Sequence, residues 1–299
     1  MTKTSKVAAI GLGSMGYGIA QSALRGGHTV WGIDINADQM KRFVGEGGQD
    51  GSVPATDLDS VIVCVLNAAQ TEAVLFGDDG IAPKLRKGAA ILSCATVSPV
   101  FAKDMEARCT ALGLSYLDAP ISGGSVKAAN GQLSIMAAGT PDAFATLRPV
   151  LDSISETVFE LGDSAGAGSA MKAVNQLLAG VHIATMAEAL TFGMTQGVTP
   201  DKFVEVISKC AGTSWMLENR APHIVAGDYT PHSSVNIWPK DLGIVLDIAK
   251  DARFSAPITA AALQQYVAAA GMGYGQEDDA AVAKVYARNA GLTLPGDDT

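Results

Sequence analysis

A β-branched run, "VAAIGL" (7–12), passes straight into "GLGSMG", with glycines at Gly11, Gly13 and Gly16, and then into "YGIAQSALRGG", whose apolar residues recur at helical spacing. Strand, glycine turn and helix in that order constrain the fold more than anything else in the chain. A helix leaving a strand this tightly has to pack back on a parallel sheet. Gly11 permits the turn, Gly13 lets the backbone approach a bound group, and Gly16 lets the helix lie close to the sheet. The helix N-terminus adds unpaired N–H groups and partial positive charge, a setting suited to a pyrophosphate. The next β-branched run, "TVWGID" (29–34), ends in Asp34, where a carboxylate accepts both hydroxyls of an adenosine ribose. Neither "IDIN" nor the residues just after it supply an arginine for a 2'-phosphate, so the residues favour NAD over NADP as cofactor.

The pattern continues for half the chain. Further strands are expected at 60–66, 89–94, 114–120, 133–139 and 157–162, with helices at 16–27, 37–48, 98–113 and 140–154. The last two helices open with a capping Ser98 or Thr140 followed by proline. After Asp163 the strand signal stops. "SAGAGS" is a small-residue joint, and helices are expected at 168–196, 199–210, 238–252, 257–271 and 278–288. Pro239 suggests that the third of these starts there, with Trp238 outside the helix. The expected organisation is an α/β dinucleotide-binding (Rossmann-type) domain over 1–165 and an all-α domain over 166–299, joined by one long central helix.

Composition narrows the function classes. A net charge of -9 and the lack of any Lys/Arg run argue against nucleic acid as a partner. Cys64, Cys94, Cys109 and Cys210 lie in separate segments without metal-ligand spacing, so they are expected to be reduced packing residues, with no metal site and a cytoplasmic location. The start of the chain has no signal-peptide pattern. Residues 173–192 are long and apolar enough to raise a membrane span, but Asn175, Gln176, His182, Thr185 and Glu188 would be costly in lipid, so a buried helix is expected.

The reactive groups lie in four motifs. "PISGG" follows a strand, and Ser122, Gly123 and Gly124 can turn N–H groups and a hydroxyl toward one anionic point. Thr96 ends a strand on the carboxyl edge of the sheet, where ligands sit in such folds. In "GSAMKAVNQ" (168–176), Lys172 and Asn175 are three residues apart and share a helix face next to the small-residue joint, expected at a cleft between the domains. A lysine there, its pKa lowered by desolvation and by the positive helix end, can take a hydroxyl proton while the carbon-bound hydride leaves. His182 is expected to be a core histidine.

Together "GLGSMG", "DAPISGG" (118–124), "GSAMKAVNQ" and "KDL" (240–242) resemble, in order and interval and across essentially the whole chain, the β-hydroxyacid dehydrogenases. That resemblance implies a NAD site including Gly11, Leu12, Gly13, Ser14, Met15, Gly16, Asp34, Leu66, Asn67, Thr96 and Lys240. It places a substrate carboxylate at Ser122, Gly123 and Gly124, makes Lys172 the general base and gives Asn175 a supporting catalytic role, both also touching substrate. "HSSVNIWPKDLGIVLDIAK" and "GMGYGQEDDAAVAKVY" further resemble the L-threonate dehydrogenase branch, implying oxidation of a polyhydroxy acid at C2 to a 2-oxo acid. Lys127, Asn130, His232 and Asn236 are candidates for the substrate hydroxyls. The competing readings are a 3-hydroxyisobutyrate dehydrogenase, a tartronate semialdehyde reductase and a non-catalytic nucleotide-binding module. A short, apolar helical half predicts a homodimer or homotetramer.

Overall fold

The computed structural model describes residues 4–50 and 54–297 and divides into two compact units, 1–172 and 173–299. In the first, β1 (Lys6–Ile10), α1 (Gly16–Arg25), β2 (Thr29–Ile33), α2 (Ala37–Gly45), β3 (Ser60–Val63), α3 (Ala68–Phe76), β4 (Ala90–Ser93), α4 (Pro99–Ala111) and β5 (Ser115–Asp118) alternate strictly. The five strands form one parallel sheet in the order β2-β1-β3-β4-β5. Successive residues of β1 serve opposite faces: Val7 and Ala9 join one apolar cluster, Ala8 and Ile10 another. With helices on both sides, every strand position is worth making apolar, which is why these strands read as unbroken hydrophobic runs.

The remaining strand signals do not extend this sheet. β6 (Ile121–Ser122), α5 (Gly124–Asn130), β7 (Leu133–Ala137), α6 (Pro141–Ile154) and β8 (Ser155–Glu160) build a second, three-stranded sheet, with β6 antiparallel and β8 parallel to β7. Asp118 and Ala138 bridge the two sheets by paired backbone hydrogen bonds of 3.0 and 2.8 Å. α1 lies so close to α5 that a Cβ on Gly18 would stand 2.6 Å from the Ala129 nitrogen, and Ser22 Oγ donates to the Ala128 carbonyl at 2.8 Å.

α7 (Ala167–Thr195) is one continuous helix of 29 residues that crosses the division at Lys172/Ala173, beyond the joint expected near 165. The small residues at 164–169 look like a linker, yet the structure starts the helix within them, at Ala167. It is long and apolar enough to cross a membrane, but Ile183, Ala187 and Leu190 belong to the core of the second unit. That core is completed by α8 (Pro200–Ile207), α9 (Trp215–Ala226), α10 (Ile237–Asp251), α11 (Pro257–Gly271) and α12 (Ala283–Asn289). Trp238 and Tyr266 stack with ring centroids 5.5 Å apart, and Tyr266 donates to the Gly180 carbonyl at 2.7 Å.

Several expectations change. α10 starts at Ile237, so Trp238 is helical and Pro239 is the third residue; a proline costs nothing there because the first N–H groups of a helix have no intrahelical acceptor. The helix expected at 278–288 is a 3₁₀ turn (279–282) followed by α12. Asp278 forces this break: its buried carboxylate accepts from Ala280 N and His232 N and pairs with His223 at 3.0 Å. All four cysteines are free thiols. Cys94 and Cys109 are buried as expected, whereas Cys210, three residues beyond α8, is exposed. His182 is only part-buried.

Candidate active site

The glycine turn sits between β1 and α1, where the strand order reverses from β2 to β3, the position at which open α/β sheets bind ligands. Each glycine has a distinct steric reason. Gly11 has φ +92°, and a Cβ on it would collide with the Cys64 carbonyl; a Cβ on Gly16 would overlap the Gly11 carbonyl oxygen. Around Gly13 nothing lies within 4 Å of an added Cβ, so its face is open to a close-fitting group. The side chain of Leu12 is wholly buried, and its N–H donates to Asp34 Oδ2 at 2.6 Å, while Asn36 N donates to Oδ1 at 2.8 Å. Asp34 thereby locks the turn to the end of β2 and keeps further lone pairs for a ligand. Ser14 is exposed and Met15 part-buried along the same turn. This cradle, open at Gly13 and closed elsewhere by backbone, fits a dinucleotide pyrophosphate with its ribose at Asp34.

At the same edge, Leu66 follows β3 as an exposed apolar residue, and Asn67 caps α3 by accepting from Gln70 N at 2.9 Å. Gln70 returns the interaction by accepting from Leu66 N, so the turn after β3 is fixed by its own side chains. Thr96 follows β4 and is part-buried. After β5 the chain turns through Gly123 and Gly124, at φ +138° and +76°, values at which a side chain is strained.

The first turn of α7 docks on that segment. Asp118, 1% exposed, accepts from Gly166 N (2.9 Å), Ser169 N (2.8 Å) and Ser169 Oγ (2.7 Å). Burial pushes its carboxyl above the usual carboxylate range, against the pull of these hydrogen bonds. A turn farther along, buried Lys172 donates through Nζ to the Ile121 carbonyl at 2.9 Å. The positive helix end expected to act on Lys172 is therefore occupied by a carboxylate. Neither Asp118 nor Ser169 stands out in sequence as functional; the only sign is that both fall inside the quoted motifs.

In the second unit, Asn175 Nδ2 donates to Gln176 Oε1 at 2.9 Å, Gln176 Nε2 to Asp241 Oδ2 at 2.5 Å, and Lys240 Nζ lies 2.6 Å from Asp241 Oδ1. Asn175 and Lys240 are thus tied together through a buried amide and a buried carboxylate. The candidates for hydroxyl recognition are dispersed. Lys127 pairs with Glu156 at the surface, His232 stacks edge-on against His223, and Asn236 packs on Gly275.

Comparison with known proteins decides the family. The profile of the NAD binding domain of 6-phosphogluconate dehydrogenase matches residues 6–162, and that of the NAD-binding domain of NADP-dependent 3-hydroxyisobutyrate dehydrogenase matches 166–286. The chain belongs to the β-hydroxyacid dehydrogenase family. Among its relatives, the L-threonate dehydrogenase of Cupriavidus necator is 46% identical over 97% of this chain and 98% of its own. The 2-(hydroxymethyl)glutarate dehydrogenase of Eubacterium barkeri is 34% identical over 99% of both. A crystal structure described as 3-hydroxyisobutyrate dehydrogenase from Salmonella typhimurium superposes with a TM-score of 0.89 at 45% identity, covering 94% of this chain and 99% of that one. As a β-hydroxyacid dehydrogenase, the protein is a nicotinamide-dependent oxidoreductase acting on a small hydroxy acid, with the Rossmann-type and helical parts that its motifs imply.

Proposed function

We propose that the enzyme oxidises a polyhydroxy acid, L-threonate first among them, at C2 to the 2-oxo acid. The observation that carries this reading is the contact of Lys172 Nζ with the Ile121 carbonyl, which places an amine one residue before the Ser122–Gly124 turn; as the neutral amine it donates N–H to that carbonyl and keeps a lone pair for a proton. An acid whose carboxylate is held by that turn presents its 2-hydroxyl, two bonds away, to the lysine. Gly11 to Gly16, Asp34, Leu66, Asn67 and Thr96 hold the dinucleotide, and nicotinamide supplies the hydride acceptor when bound. Lys172 takes the hydroxyl proton as the C2–H bond breaks and returns it in the reverse direction. Asn175, its amide oriented by Gln176, holds the same oxygen. Asp34 favours NAD, since its carboxylate repels a 2'-phosphate.

Relatives point to the substrate with two voices: proteins 42–46% identical are named L-threonate dehydrogenase, while the Salmonella structure is described as 3-hydroxyisobutyrate dehydrogenase. Purified enzyme with NAD or NADP and a panel of L-threonate, 3-hydroxyisobutyrate, glycerate and 2-(hydroxymethyl)glutarate, followed at the NADH band, separates them. We expect kcat/KM to be highest for L-threonate with NAD. Silence with L-threonate and turnover of 3-hydroxyisobutyrate would assign the alternative.

We also propose a homodimer or homotetramer formed through α7. Met171, Val174, Leu178 and Phe192 fall within about 60° around the helix axis at 100° per residue, and are 46%, 55%, 49% and 66% exposed. Lys172 and Gln176 occupy the opposite side with Ile183 and Leu190, so a second copy can cover the apolar stripe without touching the base. Light scattering is expected to give a multiple of 30.6 kDa, and a monomer mass would refute the interface. The free thiols accord with a reducing, cytoplasmic setting.

A further inference from the structure

Helices are ordinarily capped by a side-chain oxygen of the residue just before them, which accepts from their first N–H groups, but the residue before α7 is Gly166, which has no side chain. α7 is instead capped from the end of β5, 48 positions upstream, by a carboxylate in a fully buried setting. The same short stretch, Asp118 to Gly124, then supplies the acceptor for Lys172 at Ile121 and the turn at Ser122–Gly124. The fit is close. A Cβ on Gly168 would stand 2.6 Å from the Asp118 carbonyl oxygen and would also meet that of Met136, so the helix cannot slide along its seat.

We propose that Asp118 is a positioning residue for the dehydrogenase reaction: by gripping Gly166 and Ser169 it fixes the register of Lys172 against the turn that takes the substrate carboxylate. The inference rests on the roles given above to Lys172 and that turn. Two points of α7, its first N–H groups and the Lys172 side-chain nitrogen, are held by two points of one strand-to-turn segment, at residues 118 and 121. Release of the first leaves the lysine attached by its own flexible side chain, and a slip of one residue would move it by about 1.5 Å and turn it by about 100°. Displacements near 1 Å at a reacting group cost on the order of 100-fold in rate. The hydroxyl of Ser169 adds a third bond to the carboxylate, and its removal leaves both N–H contacts in place.

The test compares D118A, D118N and S169A with K172A, measuring kcat and KM on L-threonate, or on the panel acid that turns over, together with the Kd of NAD in the binary complex. Expected is a graded loss confined to turnover: a few-fold in S169A, about 10-fold in D118N and about 100-fold in D118A, each with the NAD Kd within about twofold of the parent. In D118N the amide oxygen still accepts from both N–H groups and Nδ2 donates to Ser169 Oγ, so the contacts survive without the charge that strengthens them. Wild-type kcat per NAD-binding site in D118A overturns the proposal, as it does in D118N should D118A fail to fold. So does a loss seen only in yield or NAD affinity, which is what a merely structural cap would give. Parent-like activity in K172A would remove the base itself, and the proposal with it; an inactive K172A beside a fully active D118A would remove the proposal alone.

Discussion

Lys172→Ala is expected to lower kcat by about 10³-fold, within the range that a positioned general base supplies, which corresponds to about 4 kcal/mol of transition-state stabilisation. NAD affinity should hardly change, because the glycine turn, Asp34 and Asn67 are built from β1, β2 and the turn after β3, none of which uses the lysine. Lys172→Arg is the sharper variant. It keeps the positive charge, and its guanidinium can still reach carbonyl oxygens such as that of Ile121. Yet a guanidinium does not give up its proton in the working pH range, so it cannot act as a base. If the lysine served only to attract a carboxylate, Lys172→Arg would retain most of the turnover; as a base, both variants fall together. Initial rates at the NADH band, with NAD binding measured separately, decide between them.

The second large effect is expected at Gly16. An added methyl would overlap the Gly11 carbonyl oxygen and approach Cys64 Cβ to 3.2 Å, and both neighbours are constrained. Gly11 is held at φ +92° with its N–H donating to Ile33 O at 2.8 Å, and Cys64 N donates to Ile10 O at 2.9 Å. The turn can accept Gly16→Ala only by opening away from β3, which moves the N–H groups that would face the pyrophosphate. Gly16→Ala should therefore weaken NAD binding at least about 100-fold, some 2.7 kcal/mol. Gly13→Ala is the control for fold integrity: its methyl meets no atom within 4 Å, so the melting temperature should stay near the parent's while NAD binding falls, because the methyl enters the space left for the ligand. Calorimetric titration with NAD and thermal melts of the two variants separate closure of the turn from obstruction of the site.

Legibility in the sequence followed the range of the interactions. The glycine turn, Asp34 and the five parallel strands are local patterns, and each was readable because the residue type answers a backbone or periodic requirement within a few positions. The helices α3, α5 and α9 were not. α5 is seven residues long, and α9 carries Pro222 inside it, so neither shows a clean run of helical spacing. The second sheet was unreadable for another reason: periodicity identifies a strand but not its partner, and β6 is only two residues long. In the candidate site, Lys172 and Asn175 could be paired by spacing alone. The grip of Asp118 on the helix start, and the chain from Asn175 through Gln176 and Asp241 to Lys240, join residues 48 and 65 positions apart and exist only in the folded chain.

α7 runs unbroken through the division between two separately cored units, with Lys172 as the last residue of one and Ala173 as the first of the other. Its first turns are secured by Asp118 and Ile121, and its later ones by the core around Trp238 and Tyr266. A helix anchored at both ends in this way loses order when either anchor melts. On heating, activity should therefore follow whichever unit is less heat-resistant, even when the other is still folded. Thermal hardening of the enzyme requires strengthening that weaker half; added stability in the other would raise its melting point and leave the lifetime of activity unchanged.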